Sequence, residues 1–114
     1  MKQQELVWVK LQFSNLEESK VRPAVVMSND NYNRSNNDVV VCAVTSNLDP
    51  KPYSVIIGQE SLSNGKLPIK SRIRADKILQ VEKSLVIASF ATITDASFDS
   101  VVAELVKLVG RGEK

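Results

Sequence analysis

Arg22 stands at the mouth of the run Lys20-Val21-Arg22-Pro23-Ala24-Val25-Val26-Met27-Ser28, and Thr45 and Ser46 close a second run, Val39-Val40-Val41-Cys42-Ala43-Val44-Thr45-Ser46. These are the residues best suited to chemistry. A guanidinium presents a planar fork of donors that matches two oxygens of a phosphate. A hydroxyl can add a further donor to a nonbridging oxygen. Charged and hydroxyl groups at the ends of apolar strands therefore suit a site that grips phosphate. Further along, Lys70, Arg72, Arg74 and Asp76 alternate with Ile69, Ser71, Ile73 and Ala75. In a strand the three cations and the carboxylate share one face, with neighbours about 7 Å apart, close enough to serve adjacent parts of one phosphodiester.

Each of these residues has a second, purely structural reading. The Arg22 side chain stays charged at any ordinary pH, so its chemical role is charge stabilisation and not proton donation. It could equally be a solvated arginine paired with Glu17 or Glu18. The Thr45 and Ser46 hydroxyls could bind phosphate or simply satisfy local backbone groups. Asp76 is the best acidic candidate for a general base, yet the neighbouring Arg74 must lower its pKa below the usual value of about 3.9. A useful base sits nearer neutrality, so Asp76 could instead orient Arg74, bond a ribose, or form a solvated ion pair.

The chain has 114 residues, enough for one domain with a single compact core. It is 43% hydrophobic and 25% charged, the balance of an ordinary globular protein. Net charge is only +2, so any case for nucleic acid rests on where the charges lie. No stretch approaches the roughly 20 apolar residues of a membrane span, and Met1-Lys2-Gln3-Gln4-Glu5 leads into no apolar signal core. The single cysteine, Cys42, excludes an internal disulfide and fits a reducing compartment, so the expected location is cytoplasmic. Cys42 itself reads as a small core residue. There is no histidine. That removes the commonest general base and the commonest metal ligand, and leaves no partner to activate a nucleophilic serine or threonine. No metal or cofactor site is expected.

The elements that must position these groups are short. Glu5–Phe13 alternates, with Val7, Val9, Leu11 and Phe13 opposite Lys10 and Gln12, and Ser14–Ser19 is an acidic connection. Arg22–Ser28 is a second strand, its proline confined to the strand start or a sheet edge. The asparagine-rich stretch 29–38 reads as a solvated loop with room for a turn of helix. Val39–Thr45, apolar on both faces, is a central buried strand. Tyr53–Ile57 is a further strand, Ser61–Gly65 a loop, and Leu67–Val81 holds one or two strands around Ser71–Asp76 and Lys77–Val81. Val86–Ile93 is the last strand. A helix starting near Thr94 or Asp95 carries Phe98, Val101, Val102, Leu105, Leu108 and Val109 on one stripe and stops at Gly110. Trp8 and Tyr53 could stack bases, although Trp8 could equally pack within the sheet. Lys77, Glu82 and Lys83 read as surface charge. The architecture expected is mainly β with a C-terminal helix, a small barrel with the helix against it.

Four stretches, in order, resemble the PemK and MazF family of toxin endoribonucleases. Glu5-Leu6-Val7-Trp8-Val9 resembles its opening strand and Lys20-Val21-Arg22-Pro23-Ala24-Val25-Val26 its arginine-proline signature. Val41-Cys42-Ala43-Val44-Thr45-Ser46 resembles the strand ending in threonine and serine, and Arg74-Ala75-Asp76-Lys77-Ile78 the arginine-x-aspartate segment of the Kid branch. The chain departs from the family pattern at Gln4 and Glu5, where glycine and aspartate are common, and at Phe13, a common proline. It also lacks the histidine some members carry near the start.

The resemblance implies one domain over residues 1–114, an SH3-like barrel of the PemK, MazF and CcdB type, and a homodimer. It implies metal-independent, sequence-selective cleavage of single-stranded RNA through 2′-hydroxyl attack, leaving a 2′,3′-cyclic phosphate. The implied protein partner is an antitoxin. On this reading Arg22, Thr45, Arg74 and Asp76 are catalytic, and Lys20, Ser46 and Arg72 help hold RNA. Two rivals remain: a non-catalytic SH3-like module that binds RNA or protein, and a gyrase-poisoning toxin of the CcdB kind.

Overall fold

A computed structural model describes residues 1–12 and 19–112. Phe13 and most of the Ser14–Ser19 connection, including Glu17 and Glu18, lie outside the described residues. Seven strands form one antiparallel sheet: β1 (Glu5–Gln12), β2 (Ser19–Val26), β3 (Asp38–Thr45), β4 (Ser54–Ile57), β5 (Leu62–Gly65), β6 (Ser71–Glu82) and β7 (Val86–Ile93). Their order across the sheet is β4-β6-β3-β2-β1-β7-β5, and the sheet curls into a half-barrel. A short helix α1 (Asp30–Ser35) links β2 to β3, and α2 (Asp95–Val109) closes the described chain.

β3 lies between β6 and β2, which explains why Val39–Thr45 is apolar on both faces. Consecutive strand residues point to opposite faces. Val41 and Cys42, both fully buried, accordingly join different cores. One core holds Leu6, Val25, Cys42, Ile73 and Ile93 and is capped by Val101 of α2. The other gathers Val7, Val9, Val26, Val39, Val41 and Val81. The alternation of β1 is thus less simple than expected, since Leu6 is buried opposite Val7 and Val9. Each such side chain contributes about 1.5–3 kcal/mol on burial.

Two elements differ from expectation. The asparagine-rich stretch is not wholly solvated. Asn29 caps α1 by accepting from the Tyr32 amide at 2.8 Å, and Asn33 is buried, donating to the Ser28 carbonyl at 2.9 Å. Ser61–Gly65, expected as loop, largely forms the edge strand β5 against β7. Gly65 allows that pairing, because it takes φ +81° and a Cβ there would collide with the Phe90 carbonyl oxygen. Residues 71–82 form one long strand, one of the two alternatives expected. α2 begins as expected, with the Thr94 hydroxyl accepting from the Ser97 amide at 3.2 Å. Its stripe fades in the last turn, where Val109 is 70% exposed.

Burial pushes the Cys42 thiol up to about 11, with the charge of Asp76 adding to the effect. The thiolate is the reactive form, so this thiol should be inert in the folded protein. A disulfide reagent at pH 8 is expected to leave native Cys42 unmodified for as long as it takes to label the urea-unfolded chain fully. Equal labelling rates in the two states would show that the thiol is reachable.

Candidate active site

The site arises where β2 and β3 part. Their pairing covers only Ala24–Val26 against Val41–Ala43. On the same register, two residues further along, Arg22 would stand level with Thr45, but the ladder has ended. Pro23 accounts for this. The Met27 amide donates to Val40 of β3, whereas the Val26 carbonyl accepts from Gln4 on the β1 side. Strand alternation then points position 23 toward β3, where a proline has no N–H to give.

The strands separate and leave an open cleft of about 260 Å³. It is lined by Leu11 of β1, Arg22 and Pro23 of β2, Ala43, Val44 and Thr45 of β3, and Arg74 and Lys77 of β6. Three of the four expected catalytic residues therefore share one cleft. The fourth, Asp76, is not among the lining residues but is the partner of Arg74, which is.

Arg22 is exposed, and its Cα pairs with Val9 across β1. The Thr45 hydroxyl accepts from the Asn47 amide at 3.1 Å, the local backbone role foreseen as its alternative. A hydroxyl that accepts one N–H still has its own proton to donate, so this bond orients the group for an anion and does not consume it.

Arg74 and Asp76 form a two-pronged pair, with Nε to Oδ1 at 3.0 Å and Nη2 to Oδ2 at 2.8 Å. That hydrogen bonding holds the Asp76 carboxyl below the usual carboxylate range, with the Arg74 and Lys51 charges adding to it. It raises Arg74 in turn. Because the folded value is depressed, the pair is intact above the ordinary carboxylate range and is lost as pH falls through the lowered value.

Lys77, expected as plain surface charge, faces the cleft. The β3–β6 register runs from Asp38↔Glu82 to Cys42↔Ile78, then resumes at Val44↔Ile73. Arg74–Lys77 therefore bulges opposite Ala43. A bulge breaks simple alternation and re-aims side chains, here bringing Lys77 to the same cleft as Arg74. Nothing in the residue types marks that shift.

The expected RNA-holding residues are placed differently. Lys20 and Ser46 are exposed but do not line the cleft. Arg72 is 6% exposed and is not free to meet a ligand. Its Nη1 donates to the Ser54 hydroxyl at 2.7 Å and its Nη2 to the Leu48 carbonyl at 3.0 Å. The loop between β3 and β4 covers this end of β6, turning the predicted cationic face into a brace. Trp8 stacks on Phe90 with ring centroids 4.7 Å apart, so one of its faces is taken by packing. Among the described residues, no three His, Cys, Asp or Glu side chains come together as a metal site, and no helix is long and apolar enough to cross a membrane.

The fold and site together define a small β protein whose curled antiparallel sheet carries an arginine-, hydroxyl- and lysine-lined gap between two central strands. A family model described as PemK-like, MazF-like toxin of type II toxin-antitoxin system matches residues 2–109. The chain belongs to that family. No curated protein sequence matches it.

Solved structures share the fold throughout. A mycobacterial endoribonuclease in complex with its cognate antitoxin aligns with a TM-score of 0.81 at 19% identity, covering 100% of this chain and 99% of its own. A chain of a MazE–MazF crystal structure from Deinococcus radiodurans gives 0.80 at 21% identity, covering 98% of each chain. The toxin MazF-mt6 of Mycobacterium tuberculosis gives 0.77 at 11% identity, covering 96% and 99%.

Proposed function

We propose that this chain is an endoribonuclease toxin that cleaves single-stranded RNA, acting in the cytoplasm without a metal and held in check by an antitoxin. The observation that carries the reading is the convergence of Arg22, Thr45 and Arg74 on one cleft in a member of this toxin family. The neighbouring structures described as endoribonucleases and MazE–MazF complexes support both the activity and the partner. Assembly as a homodimer belongs to the same proposal.

Attack of a ribose 2′-hydroxyl oxygen on the adjacent phosphorus, its proton passing to solvent water, forms a 2′,3′-cyclic phosphate and expels the 5′-oxygen, which takes up a proton from solvent water. Charge gathers on the nonbridging oxygens as the bond forms. Arg22 supplies fixed positive charge and paired donors there, and the Thr45 hydroxyl donates from the facing strand. Arg74 and Lys77 extend the positive wall of the cleft. Asp76 holds the Arg74 fork in position. Its lowered pKa makes it a weak base, so orientation is its main role.

Asp76→Asn separates these roles. Loss of the charge-assisted pair should lower kcat about tenfold, on the order of one such hydrogen bond, with the shape of the pH–rate profile between pH 5 and 9 unchanged. A loss of about 10³-fold or more, with disappearance of an acid limb, would make Asp76 the general base instead.

The primary test is incubation of the purified protein with mixed-sequence RNA in EDTA, followed by mapping of the new 5′ ends. Discrete fragments with 2′,3′-cyclic phosphate ends are expected. Intact RNA that is nevertheless bound would point to a non-catalytic module, and inhibition of DNA supercoiling without RNA cleavage to a gyrase poison.

A further inference from the structure

With Arg22 and Thr45 engaged on the nonbridging oxygens, the charge left on a departing 5′-oxygen needs a donor of its own. Lys77 is placed to supply it. The cations lining the cleft are Arg22, Arg74 and Lys77. Arg74 is committed to Asp76, to which it gives two hydrogen bonds within an ion pair. Lys77 is exposed and takes part in no ion pair among the described residues, so its ammonium keeps its charge for a ligand.

Strand register fixes where it stands. The β2–β3 ladder ends at the Ala24↔Ala43 rung. Arg22 and Thr45 flank the gap two residues beyond that rung, about 7 Å along the strands. On β6, Cys42 pairs with Ile78 and Val44 with Ile73, so Lys77 lies in the bulge opposite Ala43. Lys77 is thus level with the last rung, at the closed end of the gap, and its side chain lines the cleft. A flexible four-carbon stem spans that offset and carries the ammonium to a phosphate held between Arg22 and Thr45.

The direction of approach matters. Arg22 and Thr45 face each other across the gap, whereas Lys77 arrives along the strand axis. Displacement at phosphorus has the same layout, with nonbridging oxygens around the waist and the entering and leaving oxygens roughly in line at the poles. Charge decides which pole. An ammonium on the entering 2′-oxygen would tie up the lone pair that attacks phosphorus. On the 5′-oxygen it meets negative charge that grows as the bond breaks. The side chains of Leu11, Pro23, Ala43 and Val44, which complete the lining, hold no polar group for that task.

We propose that Lys77 is a catalytic residue that stabilises the leaving 5′-oxygen. As the 2′-oxygen bonds to phosphorus, the P–O5′ bonding pair departs on oxygen. A Lys77 N–H donates a hydrogen bond to that oxygen until solvent water supplies the proton. This rests on the ribonuclease reading above and adds to it a residue for the leaving side of the reaction.

The test compares two oligonucleotides spanning a mapped cleavage site, one all-oxygen and one with sulfur replacing the bridging 5′-oxygen. A thiolate leaves without a donor, so sulfur should make Lys77 dispensable. Lys77→Met should lower the single-turnover rate on the oxygen substrate about 10²–10³-fold. The same preparation should cleave the sulfur substrate at close to the wild-type rate, which also shows that it is folded. Lys77→Arg should keep much of the oxygen rate, because a guanidinium also donates. Arg22→Ala acts on oxygens common to both substrates and should slow both. A Lys77 that only attracted the RNA backbone, or only propped the cleft open, would slow both substrates alike. That result, or full activity of Lys77→Met on the oxygen substrate, overturns this inference and leaves the ribonuclease reading standing. Failure of the wild type to cleave either substrate overturns both.

Discussion

Arg22→Ala is expected to lower RNA cleavage by about 10²–10³-fold, the usual consequence of deleting one preorganised donor to a developing oxyanion. The fold should survive. Arg22 is exposed where β2 parts from β3, while the strand is anchored by Ala24, Val25 and Val26, all nearly or fully buried. Unfolding free energy should therefore change by no more than about 1 kcal/mol. Arg22→Lys should recover only part of the rate, since an ammonium supplies the charge without the planar pair of donors. Single-turnover cleavage rates beside urea titrations measure both quantities. Full activity in Arg22→Ala would remove the arginine from the mechanism and, with it, the main chemical argument for the cleft.

The second large effect is on stability. Ile73 is fully buried and pairs with Val44 of β3 on one side and Val55 of β4 on the other, immediately before the β6 bulge. Ile73→Ala leaves a cavity at the junction of three strands and should cost about 2–5 kcal/mol. Small domains have about 5–15 kcal/mol in all, so the urea midpoint should fall sharply at unchanged slope. Arg72 and Arg74 flank Ile73 in sequence, so the same loosening should reduce cleavage by the molecules that remain folded. A loss under about 1 kcal/mol would mean that the junction collapses around the smaller side chain.

Much of this arrangement was legible in the chain. Val39–Thr45 read as a central strand because no polar face interrupts it, and the structure puts it between β6 and β2. Thr45 read as a strand-end group and does end β3, whereas Arg22 and Pro23, expected at a strand start, lie within β2, which runs back to Ser19 against β1; only the β2–β3 pairing ends beside them. Other features lie beyond periodicity. Leu62–Gly65 is a strand only because β7 offers it a partner; its serine, asparagine and glycine have little strand preference of their own. Lys77 reaches the cleft through a bulge that depends on how three strands fit together. Arg72 looked like one more cation on an exposed face, because the loop that covers it folds back from elsewhere in the sequence.

Pro23 sits where two central strands would otherwise zip together, and this has a consequence for how ligands arrive. The gap follows from a missing N–H in the ladder and not from a movable segment, so a strand of RNA bound as proposed would meet it already open. On the proposed reading, no conformational energy would be spent on admission, and discrimination between sequences would fall to the fit of bases along the walls. A partner that neutralised the protein by filling this cleft would likewise meet a slot already open.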